Sequence, residues 1–162
     1  MRHDALPRFA PKPWRPPLVA AVLGIGSITM QATAAGGPSA AGLWKTIDDK
    51  TGKPLSLVRL TEVDGELQGR VERILVAPGD DPQPRCDKCT GALKDRPIVG
   101  MTFLWGFRRD GERYGDGSIL DPEEGRVYRC RIELSGDGGR LDVRGYVGIP
   151  LFGRTQIWLR EP

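Results

Sequence analysis

The amino-acid sequence predicts an all-β domain: an eight-stranded antiparallel up-and-down barrel with little helix. Three observations carry this. Eight short runs between Gly42 and Arg160 alternate apolar and polar residues, the period of two that a half-buried strand requires. The runs are joined by short connections rich in Asp, Pro and some of the chain's 22 glycines. No segment shows a 3.6-residue apolar period flanked by capping residues. Eight strands in sequential order can close on themselves and leave no exposed edge. A barrel of that size holds its own side chains or one small ligand. A two-sheet sandwich shows the same alternation and is the alternative architecture.

Gly42-Leu43-Trp44-Lys45-Thr46 opens the series, and Asp48-Asp49-Lys50-Thr51-Gly52 turns the chain. Pro54 starts a second run that reaches Glu62. Val63-Asp64-Gly65-Glu66 marks a hairpin, since Asp-Gly supplies the positive φ of a type I′ turn. In the third run Leu67, Gly69 and Val71 alternate with Gln68, Arg70 and Glu72. Ala77 to Pro97 differs in kind: it holds Pro78, Pro82, Pro84 and Pro97 and two of the three cysteines. A loop of that length inside a compact domain is usually functional or pinned.

The fourth run, Ile98 to Phe107, is the most apolar and puts Met101, Phe103 and Trp105 on one face. Asp110-Gly111 leads into a short fifth run, Tyr114 to Leu120, and Asp121-Pro122-Glu123-Glu124-Gly125 is the next turn. In the sixth run Tyr128, Cys130, Ile132 and Leu134 share a face against Arg129, Arg131 and Glu133. The seventh alternates Leu141, Val143, Gly145 and Val147 with Asp142, Arg144 and Tyr146. Beyond the corner Gly148-Ile149-Pro150, the eighth alternates Thr155, Ile157 and Leu159 with Gln156, Trp158 and Arg160.

Residues 1–35 read as a signal peptide. Arg2, Arg8, Lys12 and Arg15 give a basic start, Leu18 to Met30 an apolar run, and Ala32-Thr33-Ala34 the small residues that a signal peptidase reads. The run falls short of the roughly 20 residues of a comfortable span. Cleavage near Ala34 and export to the periplasm are expected, with no stable membrane span after cleavage; an uncleaved anchor is the alternative. Residues 36–41 form a flexible tail before a single domain over 42–162. The leader holds four of the 24 Lys and Arg and one of the 21 Asp and Glu, which leaves twenty of each. A net charge near zero, with the signs interspersed, gives no reason to expect nucleic acid or an anionic membrane as partner. His3, the only histidine, leaves with the leader, so neither a Ser-His-Asp triad nor a typical zinc site is expected in what remains.

Gly42-Leu43-Trp44 resembles the Gly-x-Trp signature of the lipocalin-like superfamily, in which a basic residue of the last strand covers the indole; Arg154 and Arg160 are the candidates here. Three further stretches are more specific. They are Cys86-x-x-Cys89-x-Gly91, Asp121-Pro122-x-x-Gly125-x-x-Tyr128-x-Cys130, and Val143-Arg144-Gly145-Tyr146 followed by Phe152-Gly153-Arg154-Thr155-Gln156-x-Trp158. In this order they are similar to the bacterial family known as domain of unknown function 2147 (DUF2147), over about Gly42 to Arg160. The resemblance implies an exported lipocalin-like barrel and no established reaction.

Cys86 and Cys89 permit three readings: a disulfide that pins the long loop, a redox pair, or metal ligands or an exchanged disulfide to Cys130. The disulfide is preferred, because a proline-rich loop offers no helix N-terminus to activate a thiol and no further metal ligands accompany the pair. Cys130 reads as a buried thiol. Met101, Phe103, Trp105 and Tyr128 line a cavity or simply fill the barrel. Arg144, Tyr146, Arg154 and Thr155 are the polar groups that would meet a small ligand, partly apolar or fatty-acid-like, at one barrel end. A structural role competes: Arg154 stacked on Trp44 and paired with Asp116 or Asp121, with Asp121 also a turn opener. No cofactor, no metal and no catalytic constellation is expected. The two functional expectations are a small-ligand binder and a non-enzymatic envelope module acting through its outer face, for instance through an exposed Trp105 or Trp158.

Overall fold

The computed structural model describes residues 37–75 and 77–162. The expected signal peptide and its cleavage point near Ala34 lie outside the described residues. Eight strands form: β1 Gly42–Ile47, β2 Pro54–Val63, β3 Glu66–Ile74, β4 Thr102–Asp110, β5 Arg113–Asp121, β6 Arg126–Leu134, β7 Arg140–Tyr146 and β8 Gly153–Glu161. Each pairs antiparallel with the next, and β8 closes onto β1, so the sheet is a barrel and not a sandwich. Apart from the strands, the only regular pieces among the described residues are 3-10 turns at Gly91–Leu93 and Pro150–Phe152. Asp64 and Gly65 take φ of 52° and 79°, the positive pair that a type I′ hairpin demands.

The alternation fixes the inside of most strands. Val58 and Leu60 of β2, Leu67 and Val71 of β3, Cys130, Ile132 and Leu134 of β6, and Leu141 and Val143 of β7 are all buried. Two strands depart from the expected pattern. In β8 it is Trp158 that is buried, while Ile157 and Leu159 face out at 41% and 43% exposure. Trp158 sits directly opposite Leu141 on β7 and Thr46 on β1, both buried, which sets the inward parity of the strand. The second departure is β4, which starts at Thr102 and not at Ile98. Gly100, at φ 85°, turns the chain there, and its N–H donates to Val71 O at 2.8 Å. Within β4 the register against β3 shifts twice, so Phe103 and Leu104 are both buried although they are consecutive.

By the up-and-down order, the connections 48–53, 75–101, 122–125 and 147–152 lie at one end of the barrel; we call it the mouth. The connections 64–65, 111–112 and 135–139 lie at the other end, together with residues 37–41. That base is tightly tied. Trp44 and Arg160 are directly opposed across β1 and β8, and the guanidinium lies 4.2 Å from the indole centroid. Trp44 Nε1 donates to Ala40 O at 2.8 Å. Arg160 donates to Gly138 O, Ala41 O and Ser39 O at 2.6, 2.9 and 2.6 Å. Ala40 N donates to the Tyr114 hydroxyl at 3.0 Å, and Arg109 reaches Gly37 O and Pro38 O. Residues 37–41 were expected as a flexible tail; they are held, and Ala40 is fully buried.

Candidate functional site

The long loop that the sequence marks as functional or pinned lies at the mouth. The 75–101 loop is built on a small antiparallel clasp in which Arg85 faces Pro97. Cys86 N donates to Arg96 O at 2.9 Å, Asp95 N to Cys86 O at 3.0 Å and Ile98 N to Pro84 O at 3.0 Å. Cys86 and Cys89 are joined in a disulfide and are both buried. The bridge packs on the 122–125 turn: Cys86 Sγ lies 3.4 Å from Pro122 O, and a Cβ on Gly125 would come within 2.8 Å of Cys89 N. Cys86, Cys89 and Met101 belong to the same apolar cluster as the barrel core, with Leu93 and Ile98 packed against it. The pinned loop is therefore an extension of the core at the mouth.

Below it the interior is filled by the chain itself. Phe103 and Trp158 stack at 6.0 Å between centroids, tilted by 39°. Phe107 lies over Gly117, where any Cβ would overlap its ring. A Cβ on Gly69 would stand 2.8 Å from Leu60 and 3.0 Å from Leu104. Large side chains thus reach across the lumen into space that glycines leave open. Cys130 is buried among them, and the loss of solvation pushes its thiol up to about 12, which leaves it un-ionised and unreactive at neutral pH.

The residues proposed from sequence do not form one cluster. Met101 and Phe103 are in the core, and Trp105 is half-buried beside it. Tyr128 sits half-buried near the 122–125 turn, its hydroxyl donating to Glu124, which raises its pKa. Arg144 and Thr155 face each other across β7 and β8 on the outside, with Arg144 Nη1 donating to Thr155 Oγ1 at 2.8 Å. Tyr146 also points outward, but Arg129 lies over its ring at 5.9 Å and it is buried.

Two structural expectations need correction. Arg160 covers Trp44, and Arg154 does not: six residues along β8 is about 20 Å, too far to reach the base. Arg154 instead donates to Asp49 through Nε and Nη2, and this contact holds the Asp49 carboxyl below its ordinary value. Asp121 is the turn opener, its Oδ1 accepting from Glu123 N at 2.9 Å and Glu124 N at 3.1 Å.

What the sequence reading passed over is the 147–152 connection. Val147, Ile149, Leu151 and Phe152 are 54–76% exposed, and Val127, near the start of β6, is 55% exposed. Arg144 holds this segment from behind, donating to Pro150 O at 2.7 Å and to Leu151 O at 3.2 Å. Two open grooves also stand out, and both lie outside the barrel. One crosses β4 to β8 between Arg108, Arg131, Arg144 and Glu133. The other runs beside Ile74, Pro97 and Val99. Among the described residues no group of His, Cys, Asp and Glu is placed to hold a metal ion, and no helix is long and apolar enough to cross a membrane.

A closed eight-stranded barrel with a tryptophan at the start of β1 and an arginine of β8 over its indole is a lipocalin-like barrel. Residues 42–160 match the family model described as "Uncharacterized protein conserved in bacteria (DUF2147)", and the chain belongs to that family. Among solved structures it is similar to protein HP1028 from the human pathogen Helicobacter pylori, which is described as belonging to the lipocalin family. The TM-score is 0.67 at 19% identity, over 77% of this chain and 84% of that one, a likeness of fold. No curated protein matches the chain.

Proposed function

We propose that this protein is an exported, non-enzymatic interaction module that acts through the outside and the mouth of its barrel, and not a carrier with cargo in the lumen. The observation that carries this is the way the lumen is filled: Phe107 pressed over Gly117, Leu104 on Gly69, and Phe103 against Trp158. An eight-stranded barrel has room for its own side chains or for one ligand, and a ligand here would have to displace buried rings. The pinned loop over the mouth points the same way. Arg154 is paired there with Asp49 and Lys94 with Asp95, and Cys130 is shielded from solvent.

Titration with a brominated long-chain fatty acid tests this, because bromine quenches tryptophan on contact and Trp44 and Trp158 are buried in the lumen. The reading predicts no saturable quenching. Stoichiometric, saturable quenching would establish a lumenal ligand and overturn it.

A further inference from the structure

The outer groove that crosses β4 to β8 carries an electrostatic imbalance that the fold does not resolve. Arg131 on β6 stands directly opposite Arg144 on β7, and Arg144 stands opposite Thr155 on β8. The three form one row across three strands, while the neighbouring Ile132 and Val143 are buried in the barrel. Facing positions on a sheet put Cβ atoms about 4.5–5.5 Å apart, where two like charges lower stability. Arg131 is exposed, and among the described residues its guanidinium has no hydrogen-bond or ion-pair partner. The acids of the groove are placed elsewhere. Glu133 pairs with Arg113 at 3.7 Å and Asp142 with Arg140 at 2.8 Å. By the register Asp110 is two strands over from Arg131, about 10 Å away.

The row offers hydrogen-bond donors. Arg144 donates through Nε to Pro150 O at 2.7 Å, through Nη1 to Thr155 Oγ1 at 2.8 Å and through Nη2 to Leu151 O at 3.2 Å. All three acceptors are neutral, so the guanidinium is held in place and its charge is not cancelled. Three of its five N–H groups are used and two remain. Thr155 Oγ1 accepts from Arg144, which leaves its own hydrogen to donate. Arg131 adds a whole fork. A carboxylate has two oxygens in one plane, and a single guanidinium saturates it. A phosphoryl group presents three strong acceptor oxygens and can take two forks and a hydroxyl at once.

We propose that Arg131, Arg144 and Thr155 bind the phosphoryl group of a phosphate ester on the outside of the barrel. This rests on the surface-acting reading above and names its ligand class. Arg144 is positioned beforehand by its neutral partners, and Arg131 meets the anion from the exposed side. An anion seated between the two guanidinium groups removes their repulsion. The groove offers about 660 Å³, room for the organic part of the ester. On β5 it passes Gly115, where a Cβ would meet nothing within 4 Å.

The test uses the protein as recovered from cells, titrated with glycerol 3-phosphate at constant ionic strength while the Arg144 Nε–Hε resonance is followed by NMR. A saturable shift is expected, with a dissociation constant on the order of 1 mM or below. Arg131→Gln should weaken binding about tenfold or more. It removes no contact within the protein, so without ligand and at low salt its melting temperature should hold or rise. Arg108→Gln, in the same groove but paired with Glu66, should weaken binding by less than about threefold. Acetate should bind about tenfold more weakly than the phosphate ester. Vesicles containing phosphatidate separate the two sources of the group. Retention of the parent and not of Arg131→Gln identifies a lipid headgroup, binding of glycerol 3-phosphate alone identifies a soluble ester, and either supports the site. The proposal is overturned if neither probe binds, if Arg108→Gln weakens binding as much as Arg131→Gln, or if acetate binds as tightly. A melting temperature lowered by Arg131→Gln in the absence of ligand also overturns it, since that is the mark of a structural arginine. None of these outcomes bears on the lumen, whose occupancy the fatty-acid titration reads separately.

Discussion

The two ends of this barrel are built on opposite principles. At the base every carbonyl of the 37–41 segment is answered: Arg109 reaches Gly37 and Pro38, Trp44 reaches Ala40, and Arg160 reaches Ser39 and Ala41 while lying over the indole. At the mouth a disulfide-pinned loop extends the core, and beside it a rigid turn holds four apolar side chains in solvent. The base spends its side chains on closing the sheet. At that turn, the 147–152 tip, Arg144 donates to Pro150 O and Leu151 O, and the four apolar side chains stay in solvent. By this contrast the base is the end where substitutions should cost the fold most.

The largest expected effect lies at the base. Trp44→Ala should destabilise the domain by about 3–5 kcal/mol in urea unfolding, through lost burial and an unfilled cavity. Arg160→Ala should cost about 2–3 kcal/mol, because Ser39, Ala41 and Gly138 lose their donor and the indole loses its cation. Arg160→Lys should recover little of this, since an ammonium cannot span three carbonyls and stack at once. Equal losses from comparable changes at the tip would break the comparison.

The mouth gives smaller numbers. Replacing Cys86 and Cys89 by alanine should cost about 2 kcal/mol, the modest effect of a short covalent ring. Reducing the wild-type protein should lower its melting temperature to match. Ile149→Ser with Phe152→Ser should change stability by less than about 0.5 kcal/mol, since nothing buried is lost.

The smallest effect is a pH dependence. Asp49 has its carboxyl held below the ordinary 3.8, first by its hydrogen bond from Arg154. A folded value below the unfolded one means that the pair's stabilisation is complete above 3.8 and is lost as the pH falls through the folded value. Arg154→Gln should therefore remove this small contribution at neutral pH, flatten the acid limb of stability below about pH 4, and bring the two proteins together at the acid end.

Much of the architecture was legible because period-two alternation is a local signal: β2, β3, β6 and β7 turn inward the residues their sequences indicate. The failures have physical causes. In β8 both parities carry apolar residues, so Ile157 and Leu159 outvoted Trp158 until the pairing with β1 and β7 decided the face. In β4 the shifts of register lie in backbone geometry that an apolar run conceals. The partner of Arg154 stands 105 residues away, on a turn that offers two adjacent aspartates, and no spacing identifies it. The site was least legible. The sequence supplied the aromatics and the arginines, but which of them meet depends on barrel closure, and the tip read as a mere glycine-proline corner.

The most direct test of the central claim is the mass of the protein recovered from cells, taken under non-denaturing and then denaturing conditions. A lumen filled by the chain's own side chains predicts the same mass in both, that of the chain alone and two hydrogens light for the Cys86–Cys89 bridge. A small molecule that accompanies the folded protein in fixed ratio, and is lost on denaturation, would contradict it.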